Sequence, residues 1–490
     1  MILVLWAASW AADWPAWGLT PQRNMVSVEK KVPKAFDPGR FKPGTDEVDV
    51  STARGLRWVA KVGSQTYGNP TVVDGRVYVG TNNQAERRPG ISGDYSVVMT
   101  FDDRSGELLW QLTVPKMGSG KVNDWEYIGI CSSPTVVGEV VYVLSSRGEM
   151  LALDVHGLAN GNQGMQEEGA FMAAPGRGPE EVLPMDADIL WSYDMPEMLG
   201  VFPHNVSSSS PLIVGDKLFI STSNGVDWSH LDLPSPFSPA LVAFDRRSGA
   251  LIGEEAVGIS ERTLHANWSS PTWVPAGGGQ PEQVVFGAGD GFLYAFEVEP
   301  VVEDGLPVLK ERWRVDANPP EYRGDKRYPA YDGPSELIST PVHAEGLIYA
   351  VIGQDPEHGP GLGMLSAVRP DGTVAWQYKG IGRSISTVAV YKGLVYAADY
   401  EGRLHCVDAR TGAVQWVHDT GTHLWGSPVV AGGRVWLGDE DGVLTVLQAG
   451  RKLKVLQEIA FPAPIYSTPV FANGNVYVAS QTHLYAFDGR

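Results

Sequence analysis

A short unit of apolar strands recurs at least seven times along the chain. Each copy begins with Ser or Thr before Pro and continues through an apolar strand, a Gly turn and two further strands. Residues 132–154, SSPTVVGEVVYVLSSRGEMLALD, are one example, and residues 467–488, STPVFANGNVYVASQTHLYAFD, are another. Short alternating strands joined by turns that contain Gly, Asn or Asp are typical of antiparallel hairpins. A repeat of this length predicts a series of small sheets rather than one conventional core.

A fourth strand follows many of these units after a turn of the type D-x-x-[ST]-G. Residues 102–110 read DDRSGELLW, and residues 408–416 read DARTGAVQW, so each of these strands carries Trp at the same place. A large ring at a fixed position of an outer strand predicts a wedge between neighbouring sheets. Related tryptophans are Trp58, Trp191, Trp313 and Trp376.

The starts of the units set the number of sheets. Eight anchor positions each precede the first strand of a unit, namely Pro70, Pro134, Pro211, Pro271, Pro341, Thr387, Pro428 and Pro469. They predict an all-β fold, an eight-bladed β-propeller of four-stranded antiparallel blades over residues 54–490. The last unit has no fourth strand, whereas residues 55–63, GLRWVAKVG, are a fourth strand without the other three. We therefore expect the N-terminal strand to pair with the last blade and close the ring.

The segments before the propeller and the overall charge predict where the chain works. Residues 1–11 combine a short apolar stretch with small residues, which is typical of a secretory signal, so we expect a periplasmic or otherwise exported monomer. There is no lipobox cysteine near the start, and no apolar run is long enough for a transmembrane segment.

Residues 12–53 form an extended arm that we expect to pack across the outside of a blade. The net charge of −19 disfavours binding to nucleic acid.

Long loops are concentrated on one face of the predicted ring. The loops between blades and the loops between second and third strands share this decorated face, which carries the insertions 81–96, 221–239 and 353–363. Loops on one face of a rigid ring commonly form binding sites, so we expect a protein or small-molecule partner there. The polar insertion 155–188 should lie on the opposite face and be flexible.

Residues just before each inner strand should surround one mouth of the central channel. Aromatic rings there could stack a planar ligand, and Arg383 could bind a carboxylate. The alternative is that these loop residues only cap the channel. The candidate cofactor-binding residues are Tyr67, His204, Asn205, His265, Trp268, Arg383, His423, Trp425 and Tyr466.

Acidic and histidine residues on the same face suggest a metal site. Histidines at positions 204, 230, 265, 358 and 423 lie in its loops, and Asp227, Asp355, Glu357 and His358 are the acidic-plus-histidine grouping. In the sequence GQDPEHG, oxygen ligands two residues apart suit calcium, so Asp355, Glu357 and His358 are the candidate ligands. A Pro-rich loop with solvated charges is the alternative.

The repeats resemble those of pyrroloquinoline quinone (PQQ)-type β-propellers, a superfamily that includes quinoprotein alcohol dehydrogenases and BamB-like assembly lipoproteins. The best copies are VYVGTNNQ…VMTFDDRSGELLW and LVYAADYEGRLHCVDARTGAVQW, and residues 13–27, DWPAWGLTPQRNMVS, are similar to the arm before many exported repeats of this class. The resemblance implies PQQ and calcium as cofactors if the chain is a dehydrogenase. However, those dehydrogenases use two adjacent cysteines, whereas Cys131 and Cys406 are far apart in this sequence.

Three functions remain open from the sequence. The first is a non-catalytic binding or assembly platform that works through the decorated face. The second is a PQQ-dependent alcohol or sugar dehydrogenase with the cofactor at the channel mouth. The third is a carbohydrate-binding or carbohydrate-cleaving propeller, for which the sequence offers no convincing acid pair.

Overall fold

The ring of eight blades predicted from the repeats is confirmed. In a computed structural model, residues 12–323 and 333–489 are described, and they form eight antiparallel sheets in a ring, with a small additional hairpin in the arm. The predicted signal segment, residues 1–11, lies outside the described residues. Every anchor residue directly precedes the inner strand of its blade, or does so within two residues.

Strands are named by blade, from the inner strand outward. Blade 1 consists of Thr71–Val73, Arg76–Asn82, Tyr95–Asp102 and Leu108–Pro115, and blade 2 of Thr135–Val137, Val140–Leu144, Glu149–Asp154 and Ile189–Asp194. Blade 3 begins with Leu212–Val214, Lys217–Ser221, Leu241–Asp245 and Leu251–Glu255. Blade 4 consists of Thr272–Val274, Gln283–Gly287, Phe292–Glu297 and Glu311–Asp316. Blade 5 consists of Val342–Ala344, Leu347–Val351, Leu365–Val368 and Val374–Tyr378. Blade 6 consists of Ala389–Tyr391, Leu394–Ala398, Arg403–Asp408 and Val414–Asp419. Blade 7 consists of Val429–Ala431, Arg434–Gly438, Val443–Gln448 and Val455–Ala460.

Blade 8 joins the two ends of the chain. Its first three strands are Val470–Ala472, Asn475–Ala479 and His483–Asp488, and its outer strand is Leu56–Lys61. Leu56–Lys61 pairs antiparallel with His483–Asp488, with Val59 opposite Tyr485. The predicted closure by the N-terminal strand is therefore confirmed, and no open sheet edge is left at this point of the ring.

Helical segments are short. The α-helices of the described part are Glu168–Met172 and Met195–Leu199, and its 3-10 turns are Val50–Thr52, Gly120–Val122, Gly157–Asn160, Ser260–Arg262, Pro320–Tyr322 and Pro356–His358. Across residues 12–323 and 333–489, no helix has both the length and the apolar character needed to cross a membrane.

The tryptophans of the outer strands join each blade to the next one. Trp58 on blade 8 donates its indole N–H to the carbonyl oxygen of Asp103 in blade 1, at 2.8 Å. The same bond recurs from Trp110, Trp191, Trp313, Trp376 and Trp416 to the turns of the following blades. The glycine of the turn leaves room for the indole, because a Cβ at Gly106 would lie 2.6 Å from the Trp58 ring. The predicted wedge role is confirmed.

Blade 3 has glycine where six of the other blades have this tryptophan. Gly253 pairs with Ala243, at the position that Trp191 takes in blade 2 and Trp313 in blade 4. A hairpin from blade 4, Val301–Glu303 and Leu306–Leu309, adds to the outer strand of blade 3. A Cβ at Gly253 would lie 3.0 Å from the Leu309 side chain, so the hairpin fills the place of the ring. Blade 3 therefore has six strands, two more than the repeat predicts.

Blade 7 has Gln457 at the same position, and the arm supplies the missing ring. Phe36 stacks on Phe487 of blade 8 with ring centres 4.2 Å apart, and on Trp436 of blade 7 at 6.4 Å. These are the counterparts of the contacts between Trp58 and its neighbours in blades 1 and 8. An aromatic residue from outside the repeat thus completes the interface between blades 7 and 8.

The first part of the arm crosses the channel instead of packing outside a blade. Residues 12–27 hydrogen-bond to the inner strand, or the residues directly before it, in every blade, for example through Trp14 to Val72 and through Ser27 to Val430. The Arg23 side chain, 1 % exposed, donates to the carbonyl oxygens of Ser210, Pro211 and Pro271. Only the later part of the arm follows the expectation, since Phe36 and the hairpin Arg40–Phe41 and Val48–Asp49 contact blades 7 and 8.

The insertion 155–188 is ordered, contrary to the flexible segment predicted from its composition. A buried ion pair joins Arg88 to Asp186, with Nε and Oδ1 2.7 Å apart. Backbone bonds from Gln111 to Met185 and from Ala187 to Gln111 fix the insertion along the outer strand of blade 1. Composition alone could not reveal this partner, because it comes from a different blade.

Replacing Phe36 by alanine should weaken the interface between blades 7 and 8. The ring is 3 % exposed, so its loss leaves a cavity, and we expect the free energy of unfolding in urea to fall by roughly 3–4 kcal/mol. Val28→Ala is the matched arm control, because Val28 is 62 % exposed and should change stability by less than about 0.5 kcal/mol. Adding Gln457→Trp to the Phe36→Ala variant should restore part of the loss. Equal stability of Phe36→Ala and wild type would contradict this role.

Acidification should destabilise the junction between the arm and blade 8 through His483. Burial lowers the pKa of His483 from 6.5 to about 4. As the pH falls from 6.5 to 4, the unfolded chain takes up this proton and the folded chain does not, so stability is lost across that interval. His483→Gln should reduce the loss between pH 7 and pH 4.5 by roughly 1–3 kcal/mol, measured by urea unfolding at both pH values. An unchanged pH dependence in the variant would exclude His483 as a source.

Candidate functional site

A cavity of about 520 Å³ lies at the mouth of the channel on the decorated face. Its wall takes residues from all eight blades, since the residues just before each inner strand point around the axis. The place of a residue within the repeat, just before the inner strand, therefore decides whether its side chain reaches the cavity. One residue per blade illustrates this arrangement: Asn69, Cys131, Ser208, Trp268, Ile338, Ile385, Ser427 and Thr468.

The arm closes the cavity from the channel side. Trp17 lines the cavity and donates its indole N–H to the hydroxyl oxygen of Thr340, at 3.0 Å. Its carbonyl oxygen accepts a hydrogen bond from the buried Arg23. The arm thus forms part of the wall of the cavity.

Aromatic rings form one wall of the cavity. Tyr67 and Tyr466 are stacked, with ring centres 5.0 Å apart, and Trp425 packs edge-on against Tyr466 at 5.5 Å. Trp125 and Trp268 come from the loops on the other side. Rings held by one another lose little freedom when a flat ligand stacks on them, so this wall is suited to a planar partner.

The described lining of the cavity carries little charge. It includes the carboxylate of Asp355 but no lysine or arginine among the described residues. Burial raises the pKa of the Cys131 thiol to about 12, so this thiol stays protonated at neutral pH and is not a strong nucleophile. The pKa of Tyr67 is also raised, mainly by burial.

The structure separates the nine candidate cofactor-binding residues into two groups. Tyr67, Asn205, Trp268, Trp425 and Tyr466 line the cavity. His423 lies outside its lining and stacks on Tyr400, with ring centres 4.3 Å apart. His204 and His265 are buried on the far side of the Trp268 ring, whose N–H donates to the His204 carbonyl oxygen.

Arg383 faces the protein rather than the cavity. Its side chain is 3 % exposed, and its Nε and Nη2 donate to the Ser335 hydroxyl and to the Gly333 carbonyl oxygen, each at 2.9 Å. Its guanidinium also lies over the Tyr322 ring, at 5.4 Å. These contacts hold the loop that enters blade 5, and the carboxylate contact of Arg383 stays a prediction.

Four of the five loop histidines meet beside the cavity. His204, His230 and His265 each have a ring nitrogen within 4.8 Å of those of the other two. The ring of His358 lies 5.1 Å from His265 and 5.7 Å from His230, measured between ring centres. The loops within blades 3 and 5 therefore meet the loops that enter blades 3 and 4. This meeting could not be predicted from the sequence.

Burial keeps most of this group uncharged. The pKa of His204 is lowered to about 3 and that of His358 to about 4, in both cases first by burial and then by the nearby His265. The pKa of His265 is lowered well below its usual value by burial. Glu336 lies with Oε1 3.5 Å from His265 Nδ1, and burial raises the pKa of this carboxyl to about 8. The pair is therefore neutral near pH 7 instead of ionic.

The structure describes the side chains of two of the three candidate calcium ligands, Asp355 and His358, and places them close together. His358 Nδ1 is 3.9 Å from Asp355 Oδ1, but the His358 ring also belongs to the histidine group. Asp227 is used by its own turn, because its carboxylate accepts hydrogen bonds from the backbone and hydroxyl of Ser229. The side chain of Glu357 lies outside the described residues.

Sequence reasoning missed several residues of this region. Trp17 and Trp125 lie outside the repeat unit, so its register did not indicate them. Nothing in the repeat distinguishes Glu336 from the other acidic residues of the loops. One signal was present in Gly225, where a Cβ would lie 2.4 Å from the His265 carbonyl oxygen and 2.9 Å from the His204 Cβ. Only glycine lets these two histidine loops approach so closely.

Comparisons with solved structures agree with this architecture. BamB from Moraxella catarrhalis matches with a TM-score of 0.56 and 14 % identity, over 88 % of this chain and 99 % of that one. A europium-containing methanol dehydrogenase matches with a TM-score of 0.63 and 13 % identity, over 97 % and 98 %. The quinohemoprotein alcohol dehydrogenase ADHIIG from Pseudomonas putida HK5 gives 0.60 and 14 %, over 97 % and 80 %. At such identities the likeness shows the fold alone.

The sequence itself was also compared with families and with curated proteins. No curated protein matches it. The family model described as outer membrane protein assembly factor BamB matches residues 44–157, 91–301 and 362–453, which together make up well over half of the chain. With its repeats, ring and docking tryptophans, this chain belongs to the BamB family of PQQ-type repeat propellers.

Proposed function

We propose that this chain is an exported, non-catalytic binding propeller that receives a flat, uncharged group at its channel mouth. The observation that carries the proposal is the aromatic cavity closed by Trp17 and lined by Tyr67, Trp425 and Tyr466. Its volume of about 520 Å³ lies in the range of ligand pockets in proteins. The occupant is a small aromatic molecule or an aromatic side chain of a partner.

The loops around the mouth support a role in assembly with another protein. Trp228, Leu231 and Phe237 are 61 %, 70 % and 87 % exposed, and they share one loop of blade 3 on the decorated face. Large apolar side chains grouped on the surface commonly mark interaction sites. The family description as an assembly factor agrees with this use of the face and with export.

The alternative function, a PQQ-dependent dehydrogenase, fits the described residues less well. PQQ is a flat quinone that carries carboxylate groups, so its site needs basic residues as well as rings. The described lining offers neither Lys nor Arg, and Arg383 is engaged by Ser335 and Gly333. Asp355 is the single described carboxylate of the lining, which is a poor donor set for calcium. We therefore derive no catalytic step through a quinone.

Trp425→Ala should weaken binding of a flat, neutral probe. With 1,4-naphthoquinone in isothermal titration calorimetry, we expect roughly tenfold weaker binding, because losing one stacking ring costs about 1.4 kcal/mol. His423→Ala is the matched control, since His423 lies on the same face but outside the lining, and it should bind as wild type does.

The same titration separates the two functions. PQQ with calcium should bind more weakly than naphthoquinone, and it should support no alcohol oxidation with an artificial electron acceptor. Tight, calcium-dependent binding of PQQ with turnover would overturn the non-catalytic proposal in favour of the dehydrogenase. Equal affinity of wild type and Trp425→Ala for naphthoquinone would remove the aromatic mouth as the binding site.

A further inference from the structure

Three imidazole rings from three separate loops converge behind Trp268. His204 precedes the inner strand of blade 3, His230 lies in the long loop within blade 3, and His265 precedes the inner strand of blade 4. The Nε2 atoms of His204 and His230 are 3.3 Å apart, and one ring nitrogen of His265 lies within 4.8 Å of both. Three ring nitrogens are thus close together, on residues that do not line the cavity.

The tautomer of His204 is set by its backbone partner. Its Nδ1 lies 2.6 Å from the carbonyl oxygen of Val226. A carbonyl oxygen can only accept, so Nδ1 carries the proton and Nε2 offers a lone pair toward His230 and His265. A ring N–H bonded to a backbone carbonyl, with the other nitrogen facing inward, is the usual arrangement of a histidine that binds a metal.

The spacing of the nitrogen atoms suits a tetrahedral ion. Bonds of about 2.0–2.1 Å to a zinc ion place two ligand nitrogens about 3.4 Å apart. The observed 3.3 Å between the two Nε2 atoms agrees with this separation. The longest nitrogen–nitrogen distance in the group, up to 4.8 Å, needs to shorten by about 1.4 Å, which rotation of the imidazole rings about their side-chain bonds supplies.

The backbone holds the three loops together independently of any ion. His204 N–H donates to Ser223, and Val226 N–H donates to the carbonyl oxygen of His265. Gly225 pairs with Ala266 between the two buried histidines. The positions of His204 and His265 are thus fixed by main-chain bonds, and such pre-organisation is what a metal site requires.

We propose that His204, His230 and His265 bind a divalent transition-metal ion of the zinc class, with His358 beside them as the fourth nitrogen ligand. Imidazole nitrogens favour zinc, copper or nickel over calcium, which prefers oxygen. The Glu336 carboxyl group lies with Oε1 3.5 Å from His265 Nδ1, the place from which a group behind a metal ligand orients its ring. The ion ties the loops of blades 3, 4 and 5 together on the decorated face. It lies outside the cavity lining, so this proposal does not depend on the ligand of the channel mouth.

The test uses the full chain with any histidine tag removed and its metals stripped by a chelator. We expect one Co²⁺ per chain with the visible absorption of tetrahedral nitrogen coordination. Zn²⁺ should displace the cobalt and raise the melting temperature by a few degrees, whereas Ca²⁺ at the same concentration should not. A wild-type chain that takes up neither Co²⁺ nor Zn²⁺, or that responds equally to Ca²⁺, would overturn the proposal.

The key variant is His230→Asn. His230 has a φ of 58°, which asparagine adopts readily, so the loop should keep its path while losing a ligand nitrogen. Affinity for Co²⁺ should fall by roughly 100-fold, with the metal-free melting temperature unchanged. His423→Asn, on the same face but stacked on Tyr400, should bind Co²⁺ as wild type does. A folded His230→Asn protein with wild-type affinity would exclude the site, and His358→Asn tests the fourth position in the same way.

Discussion

The hydrogen bond from an outer-strand tryptophan to a turn of the next blade is the interaction on which the ring depends. Apolar packing between blades does not fix their angle. Near the axis, hydrogen bonds between the residues at the inner strands, such as Thr387 N–H to the Ser427 hydroxyl, add to the contact, and the tryptophans supply the directional bond at the outer strands. The indole N–H of Trp376, bonded to Ala409 at 3.0 Å, sets both distance and direction, and Gly412 leaves room for its ring. A ring closes only if the angle between every pair of neighbouring blades is nearly correct, so a blade without this tryptophan needs a substitute. The hairpin beside Gly253 and the arm residue Phe36 are those substitutes.

The repeat made the fold predictable because each blade is encoded locally. Strand alternation, the turn D-x-x-[ST]-G and the following Trp all lie within about 40 residues, so their register could be read directly. The substitutes could not be read in the same way. Phe36 and its partner Phe487 are distant in sequence, and nothing in the composition of the arm indicates that Arg23 reaches the carbonyl groups of blades 3 and 4. The insertion 155–188 shows the same limit, since the buried pair of Arg88 and Asp186 orders it.

The site was predictable to the extent that the repeat positions its residues. Tyr67, Trp425 and Tyr466 precede inner strands, and that place in the repeat directs them to the channel mouth. His204 and His265 precede inner strands too, but the path of each loop decides the direction of a single side chain. Asn205 lines the cavity, whereas its neighbour His204 points to the histidine group. Three separate loops must follow the right path before His204, His230 and His265 come together. No local pattern in the sequence could therefore indicate this group.

The arm links the construction of the ring to the shape of its mouth. Leu56–Lys61 completes blade 8, Phe36 completes the interface of blades 7 and 8, and Trp17 forms the base of the cavity. All three belong to one continuous segment, and Arg23 anchors it to blades 3 and 4 with hydrogen bonds that water does not reach. Different residues of this one segment stabilise closure and supply the base of the cavity, so the cavity has this wall only when the segment is in place.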